Sequence, residues 1–437
     1  MTKSNRSYQP TLPERAFHGF YSLLLAIFTP LALLNLLIKS TYQDRDYKKR
    51  KLERFGFLPE IKNQGGILLH CVSVGEVVAA STIIKRIRKR YPDYPVTITT
   101  TTPTGSDRVK QIFGDSVSHC YLPYDLHLSM RALLRKVQPK MVLITEVELW
   151  PNLINACWRA TIPVYIINAR LTDRSARSYG KFRLLFYPMM QKITAICAQG
   201  ERDFNNYKKL NLSKDKLFLT NNIKFDITLT DEDIEKAQEI QRQLNIEERR
   251  VLLGASTHEP EEDVLIESYK ALKKDFPDLL LIITPRHPQR FGKVEKLVAD
   301  QQLQMLKLSD DRPISATTDV VLIDKMGILK SVYSLATIAF VGGSIADKGG
   351  HNALEAALFA KPILMGEKTY NNPAICQTLI DAGALKITHD TEAIVQRART
   401  WLTIPEEAKK AGDAGTTVLN QNAGAISKTL EIMGIDA

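Results

Sequence analysis

At 437 residues the chain is about three times the commonest domain size, which favours two domains over one. With 44% hydrophobic and 24% charged residues, it has the composition of a globular protein, and wholesale disorder is excluded. A balance of 59 Lys+Arg against 48 Asp+Glu leaves +11, which favours anionic partners: nucleic acid, phosphorylated substrates or an acidic membrane surface. The five cysteines, Cys71, Cys120, Cys157, Cys197 and Cys376, form no C-x-x-C pair. They are expected to be buried free thiols.

The first element is an uncharged apolar run over 16–38, interrupted by Pro30 and Asn35. As a helix it would be roughly 34 Å long, enough for a bilayer core. A cleaved signal peptide is disfavoured because a basic segment follows instead of a small-residue cleavage site. A membrane span, a bent helix lying in the interface, and an apolar helix buried in a domain remain as alternatives. The flank 39–54 carries Lys39, Arg45, Lys48, Lys49, Arg50, Lys51 and Arg54 against Asp44, Asp46 and Glu53. That excess places the downstream domains on the cytoplasmic side and suits anionic headgroups.

From Gly65 onward, short apolar β-rich runs alternate with helical patterns, as in βα units around parallel sheets. Strands are predicted over 67–72, 96–101, 141–145, 164–168 and 193–198. The stretch 228–249 is highly charged and reads as a solvated helix and linker. A second series follows at 251–255, 279–284, 320–323, 338–342 and 362–365. The domains are therefore drawn as 1–55 (anchor and basic flank), 56–227, 228–249 (linker) and 250–437. Two doubly wound domains facing a cleft are expected, with ligands at the carboxyl ends of the strands.

The loops after those strands hold the candidate chemistry. His70-Cys71-Val72-Ser73-Val74-Gly75-Glu76 leads into a helix whose first turn favours an ionised Glu76. Glu76 is either a general base at a cleft edge or a simple helix-start glutamate. After the third strand come Thr145-Glu146-Val147-Glu148. Burying a carboxylate there requires a cation or proton donor, and Glu146 is the better site candidate, with capping or ion pairing as the alternative. Arg286 and His287, between Pro285 and Pro288, suit a phosphate because a guanidinium donates two parallel hydrogen bonds. Lys348-Gly349-Gly350-His351-Asn352-Ala353-Leu354-Glu355 opens a helix predicted over 353–360, where backbone N–H groups can meet an anion and Glu355 can reach ribose hydroxyls. The basic run Lys85, Arg86, Arg88, Lys89 and Arg90 lies on one helix without interleaved aromatics and reads as a solvated face, so nucleic acid is the least supported partner. The eight histidines show no metal-ligand spacing.

Taken as a set, these motifs, with Thr100 to Gly105, Tyr121-Leu122-Pro123-Tyr124-Asp125, Glu148-Leu149-Trp150-Pro151-Asn152, Lys224-Phe225-Asp226 and Met326-Gly327, resemble the 3-deoxy-D-manno-octulosonic acid (Kdo) transferases of lipopolysaccharide biosynthesis, from the N-terminal helix to the final helices. The resemblance implies a GT-B glycosyltransferase, two Rossmann-like domains with no required metal or cofactor. It implies CMP-Kdo as donor, lipid IVA as acceptor, inverting transfer of one or more Kdo residues, and attachment to the cytoplasmic face of the inner membrane. By this resemblance Glu76 matches the general base, and Glu146 and Lys224 match positions that stabilise the transition state. Pro285 and Arg286, Met326, Gly327 and Ile328, and Asn352, Ala353, Leu354 and Glu355 match CMP-binding stretches. Two departures stand out: Gly366-Glu367-Lys368-Thr369 replaces the usual Gly-Pro-His-Thr, and Ile328 replaces a more usual Glu. The rivals are a sugar-nucleotide epimerase and a membrane-surface binding protein with inactive Rossmann domains. Oligomeric state is left open.

Overall fold

Runs of residues apolar on every position suit strands covered on both faces, and the computed structural model, which describes residues 8–42, 50–246 and 249–435, forms two parallel sheets from them. The first contains β1 (Ile67–His70), β2 (Val96–Thr100), β3 (Ser118–Tyr121), β4 (Met141–Thr145), β5 (Val164–Ala169), β6 (Ala195–Ala198) and β7 (Leu217–Leu219), in the order β3-β2-β1-β4-β5-β6-β7. The second contains β8 (Val251–Thr257), β9 (Leu280–Pro285), β10 (Met305–Lys307), β11 (Val320–Leu322), β12 (Ile338–Val341), β13 (Ile363–Met365) and β14 (Leu385–Ile387), in the order β10-β11-β9-β8-β12-β13-β14. Both are doubly wound, reversing direction between β1 and β4 and between β8 and β12. Alternate residues feed opposite cores. Leu68 of β1 packs with Met130, Leu133 and Val137 of one helix, while Ile67 and Leu69 pack with Val77, Ile83, Ile84 and Ile87 of the helix Val74–Arg90 on the other face. All five cysteines are buried and free.

The chain divides into one unit of Met1–Asp226 with Ala423–Ala437 and another of Ile227–Asn422, which alters two of the expected boundaries. The charged stretch after residue 228 is not a free linker. Its helix Asp231–Leu244 begins with a Thr230/Asp233 capping box, buries Ala237, Ile240 and Leu244, and ties into the second unit through Lys330 Nζ, 2.5 Å from Asp233. The final helix, Ala425–Ile432, belongs to the first unit. Ala425, Ile426, Leu430 and Met433 enter the core around the helix Val74–Arg90, and Asp226 accepts backbone hydrogen bonds from Gly424 (2.6 Å), Ala425 (3.2 Å) and Ile426 (2.6 Å). Leaving three such donors unsatisfied costs about 2–3 kcal/mol. Asp226→Ala is therefore expected to lower the melting temperature of the first unit by several degrees in calorimetry, with Asp226→Asn recovering part of the loss.

The N-terminal apolar run forms the helix Leu12–Tyr42, continuous through Pro30. His18, Tyr21, Ser22, Leu25 and Thr29 are partly buried, at helical spacing. Tyr21 Oη donates to Asp125 at 3.0 Å and Ser22 Oγ to Asn152 at 2.9 Å. Asp125 also accepts the N–H groups of Asn152 and Leu153, each at 2.9 Å, so motif residues at 125 and 152 serve to seat this helix. Its opposite side exposes Phe20, Leu23, Leu24, Ile27, Phe28 and Leu31. Among the described residues no helix is long and apolar enough to cross a membrane. The buried-helix alternative fails on that exposed stripe. Of the basic flank, Arg45, Lys48 and Lys49 lie outside the described residues. Arg50 pairs with Glu53 at 2.6 Å, and the Arg50 and Arg54 guanidinium groups lie over the Tyr121 ring at 4.6 and 4.3 Å. Those two charges are engaged by the protein itself.

Candidate active site

The residues singled out in the sequence lie in segments that follow the carboxyl ends of strands in the two sheets. In the first unit, the chain leaves β1 through Val72 and Ser73, and Ser73 caps the helix that holds Glu76. Glu76 is 8% exposed, and its carboxylate is fully engaged. Oε1 accepts from Ser73 N (3.2 Å) and Ser73 Oγ (2.9 Å), and Oε2 from Val72 N (2.9 Å) and Thr145 Oγ1 (2.7 Å). This is a capping box, so the helix-start reading of Glu76 is realised. Thr145 Oγ1 also lies 2.9 Å from the His70 carbonyl. Its single proton serves one of the two acceptors at a time, so with that proton turned to the His70 carbonyl the Thr145 oxygen can accept from a protonated Glu76.

Glu146 follows immediately and has φ +56°, a strained conformation for a non-glycine residue that ends the strand and re-aims the side chain. Burial, followed by the nearby Glu76, pushes its carboxyl above the usual carboxylate range, against the pull of Lys224 and Arg170. Lys224 sits on the one-turn helix Ile223–Asp226, whose entry is fixed by Asn168 Oδ1 accepting from Ile223 N at 3.1 Å. Burial holds its ammonium below the usual lysine value, opposed by Glu146 and Glu76 and reinforced by Arg170. Glu76, Glu146 and Lys224 thus share one electrostatic cluster. Glu148 also feels Glu76, and burial raises it too. Sequence reasoning missed Arg170 and the role of the Thr145 hydroxyl; a polar residue at the last position of an otherwise apolar strand was the available signal.

In the second unit, Pro285 ends β9 in the interior and Arg286 emerges exposed, its N–H bonded to the Thr257 carbonyl at 3.0 Å. Asn352, Ala353, Leu354 and Glu355 follow the glycine loop. The helix there is shorter than expected, Leu354–Leu358. Ala353 and Leu354 are buried, so only their backbone can meet a ligand. Burial raises the Glu355 carboxyl, which is drawn down by a hydrogen bond from Asn352 and by Lys330 and Arg286. Gly327 has φ +83° between an exposed Met326 and Ile328. Ile328 leads directly into the short helix carrying Lys330.

Two residues missed in the sequence, Glu261 and His258, help to organise this surface. The carboxylate of Glu261, fully buried, accepts five backbone N–H groups. Oε1 takes Ser344 (2.9 Å), Ile345 (2.9 Å) and Ala346 (3.2 Å), and Oε2 takes Gly343 (2.8 Å) and His258 (2.9 Å). His258 and His351 stack, Nε2 to Nε2 at 2.9 Å. One ring must donate and the other accept, so at least one is neutral. Burial, with Arg286 and His258 alongside, lowers His351 to about 4. Gly349, at φ +82°, has no room for a Cβ, which would fall 2.5 Å from Asn371. The departing segment 367–371 packs directly on this loop: Asn371 Nδ2 donates to Lys348 O at 2.8 Å and Tyr370 Oη to Asp347 O at 3.0 Å. Among the described residues, no group of three His, Cys, Asp or Glu side chains is placed to hold a metal ion.

A family profile described as 3-deoxy-D-manno-octulosonic-acid transferase (kdotransferase) matches residues 49–227. The 3-deoxy-D-manno-octulosonic acid transferase of Haemophilus influenzae is 39% identical over 417 residues, 95% of this chain and 97% of that protein. Among solved structures, the UDP-GlcNAc 2-epimerase of Neisseria meningitidis bound to UDP-GlcNAc is 17% identical at a TM-score of 0.57, over 85% of this chain and 99% of that one. This likeness shows a shared two-sheet fold. The C-terminal CMP-Kdo binding domain of WaaA from Acinetobacter baumannii is 33% identical over 43% of this chain and 98% of its own, at a TM-score of 0.41.

Proposed function

Because the chain belongs to the 3-deoxy-D-manno-octulosonic acid transferases, glycosyltransferases of lipopolysaccharide synthesis, we propose that it moves Kdo from CMP-Kdo to lipid IVA with inversion, on the cytoplasmic face of the inner membrane. The observation that carries this reading is the grouping of Glu76 and Glu146, which follow β1 and β4, with Lys224 of the one-turn helix Ile223–Asp226. In this reading an acceptor hydroxyl gives its proton to Glu76 as it attacks the anomeric carbon, while the bond from that carbon to the CMP phosphate breaks and CMP departs. The Thr145 hydroxyl turns its own proton to the His70 carbonyl, and its oxygen then accepts a hydrogen bond from the protonated Glu76. Lys224 faces the charge that develops, and Glu146 holds the ammonium in place. A base that activates an external nucleophile without a covalent intermediate gives an inverted product.

The second unit supplies the donor surface in this proposal. Arg286 and the backbone of the 342–354 loop receive the phosphate and carboxylate of the donor, and Glu355 takes ribose hydroxyls. Met326, Gly327 and Ile328 offer backbone groups to the base. No metal or cofactor takes part in the proposed reaction. The N-terminal helix lies in the membrane interface with Phe20, Leu23, Ile27 and Phe28 among the acyl chains. Its test is a pair of measurements on the full chain. CMP is expected to raise the melting temperature of the second unit where UDP and GDP do not, and CMP-Kdo with lipid IVA is expected to yield a Kdo-bearing lipid by mass spectrometry, undiminished by EDTA. Protection by UDP instead, with no Kdo product, would point to the epimerase-like alternative.

A further inference from the structure

Beneath the N-terminal helix lies a cavity of about 310 Å³ that belongs to no part of the proposed reaction. Three helices enclose it: the N-terminal helix contributes Glu14, Arg15 and His18, the helix Pro151–Arg159 contributes Asn155 and Arg159, and the helix Arg183–Lys192 contributes Lys192. Lys192 is 7% exposed. Its ammonium donates to Asn155 Oδ1 at 2.8 Å and lies 5.2 Å from the Trp158 ring centre. Glu14, the one acid on the wall, is turned to its own helix and accepts from Thr11 N at 2.7 Å. The His18 Nε2 atom is buried and has no hydrogen-bond partner.

Two guanidinium groups, an ammonium and an imidazole around one cavity are the donor set of a tetrahedral oxyanion. The mouth is made by the helix whose following turns expose Phe20, Leu23, Leu24, Ile27, Phe28 and Leu31. An anion seated here would lie at the level of the headgroups when those side chains enter the acyl region. We propose that this cavity binds the phosphate of an anionic phospholipid headgroup, fixing the depth and rotation of the docked enzyme. The proposal rests on the interfacial placement of the N-terminal helix given above. Burial and repulsion from Arg159, opposed by Glu14 and reinforced by Arg15, lower Lys192 to about 8. Replacing this buried cation with an apolar isostere should not weaken the fold.

The test compares the full chain with Lys192→Met and Arg159→Gln, and with Lys89→Gln as a control that removes one surface charge elsewhere. Flotation with vesicles of phosphatidylcholine alone reads the apolar helix, and vesicles that also hold phosphatidylglycerol read the cavity. The expected result is that phosphatidylglycerol tightens binding by about tenfold or more. Lys192→Met and Arg159→Gln lose that gain, Lys89→Gln keeps it, and Lys192→Met melts no lower than the parent. A preference for phosphatidylglycerol that survives Lys192→Met, or falls equally in Lys89→Gln, would overturn the proposal. Glycerol 3-phosphate separates the two readings: if it raises the melting temperature of the parent but not of Lys192→Met, while no vesicle is bound, the cavity takes a soluble phosphate and both the lipid assignment and the interfacial helix fail. If phosphatidylcholine vesicles bind but neither anion has a Lys192-dependent effect, the helix reading stands and the cavity proposal is lost.

Discussion

Glu76→Gln is expected to lower turnover of Kdo transfer by about a thousandfold, the scale of a lost general base, with CMP binding unchanged. Glutamine is the informative substitution because it separates the capping role that Glu76 has in the structure from the base role proposed for it. A capping box accepts Glu or Gln at its third helical position, so the amide oxygen can keep the Ser73 N–H and hydroxyl. The amide nitrogen then faces the Val72 N–H that Oε2 now accepts at 2.9 Å, a mismatch that costs about 1 kcal/mol. Alanine would remove the cap and the base together and leave its activity loss uninterpretable. Steady-state kinetics with a parallel thermal melt decide the matter. A Glu76→Gln protein that melts within a few degrees of the parent and turns over at nearly the parental rate would leave Glu76 as a cap alone.

The second large effect belongs to Glu261. Five N–H groups converge on a carboxylate with no exposed surface, and together they set the backbone from Gly343 to Ala346. Alanine would leave all five unsatisfied, a loss on the order of 3–5 kcal/mol, and is expected to unfold the second unit near ambient temperature. Glu261→Gln keeps one accepting oxygen and turns an N–H₂ toward Gly343 or Ser344. It is expected to weaken CMP binding by about tenfold or more in calorimetry. The KM for the donor should rise far more than kcat falls, because Glu261 touches the loop and not the reacting atoms. Equal losses in kcat and KM, or none, would mean that the loop is held by other contacts.

The legible and illegible parts of the fold divide along a physical line. The central strands of both sheets stood out because they are buried and rich in apolar or β-branched residues. The four strands that went unread, β3, β7, β10 and β14, are the edges of the two sheets. They are three or four residues long; Ser118 and His119 interrupt β3, Lys307 interrupts β10 and Lys386 interrupts β14, while β7 is apolar but only three residues long. An edge strand is covered less completely and is often charged to discourage further pairing, so its sequence carries little of the apolar signal. The site followed the same rule. Glu76, Glu146 and Arg286 sit at strand ends and were found by position. Glu261 was missed because an acidic residue in the first turn of a helix is ordinary, and only the return of residues 343–346, far along the chain, makes it more than that.

The return of the final helix to Asp226 has a consequence for how the protein can be taken apart. The second unit is an insertion, entered after Asp226 and left before Ala423, and hydrogen bonds between Asp226 and residues 424–426 bring its entry and exit side by side. A fragment cut at residue 226 would expose the Ile426 and Leu430 side of its own core. Joining residue 226 to residue 423 through a short flexible linker would restore that side and excise the second unit whole. The first and second units are thus expected to become two separately expressible polypeptides.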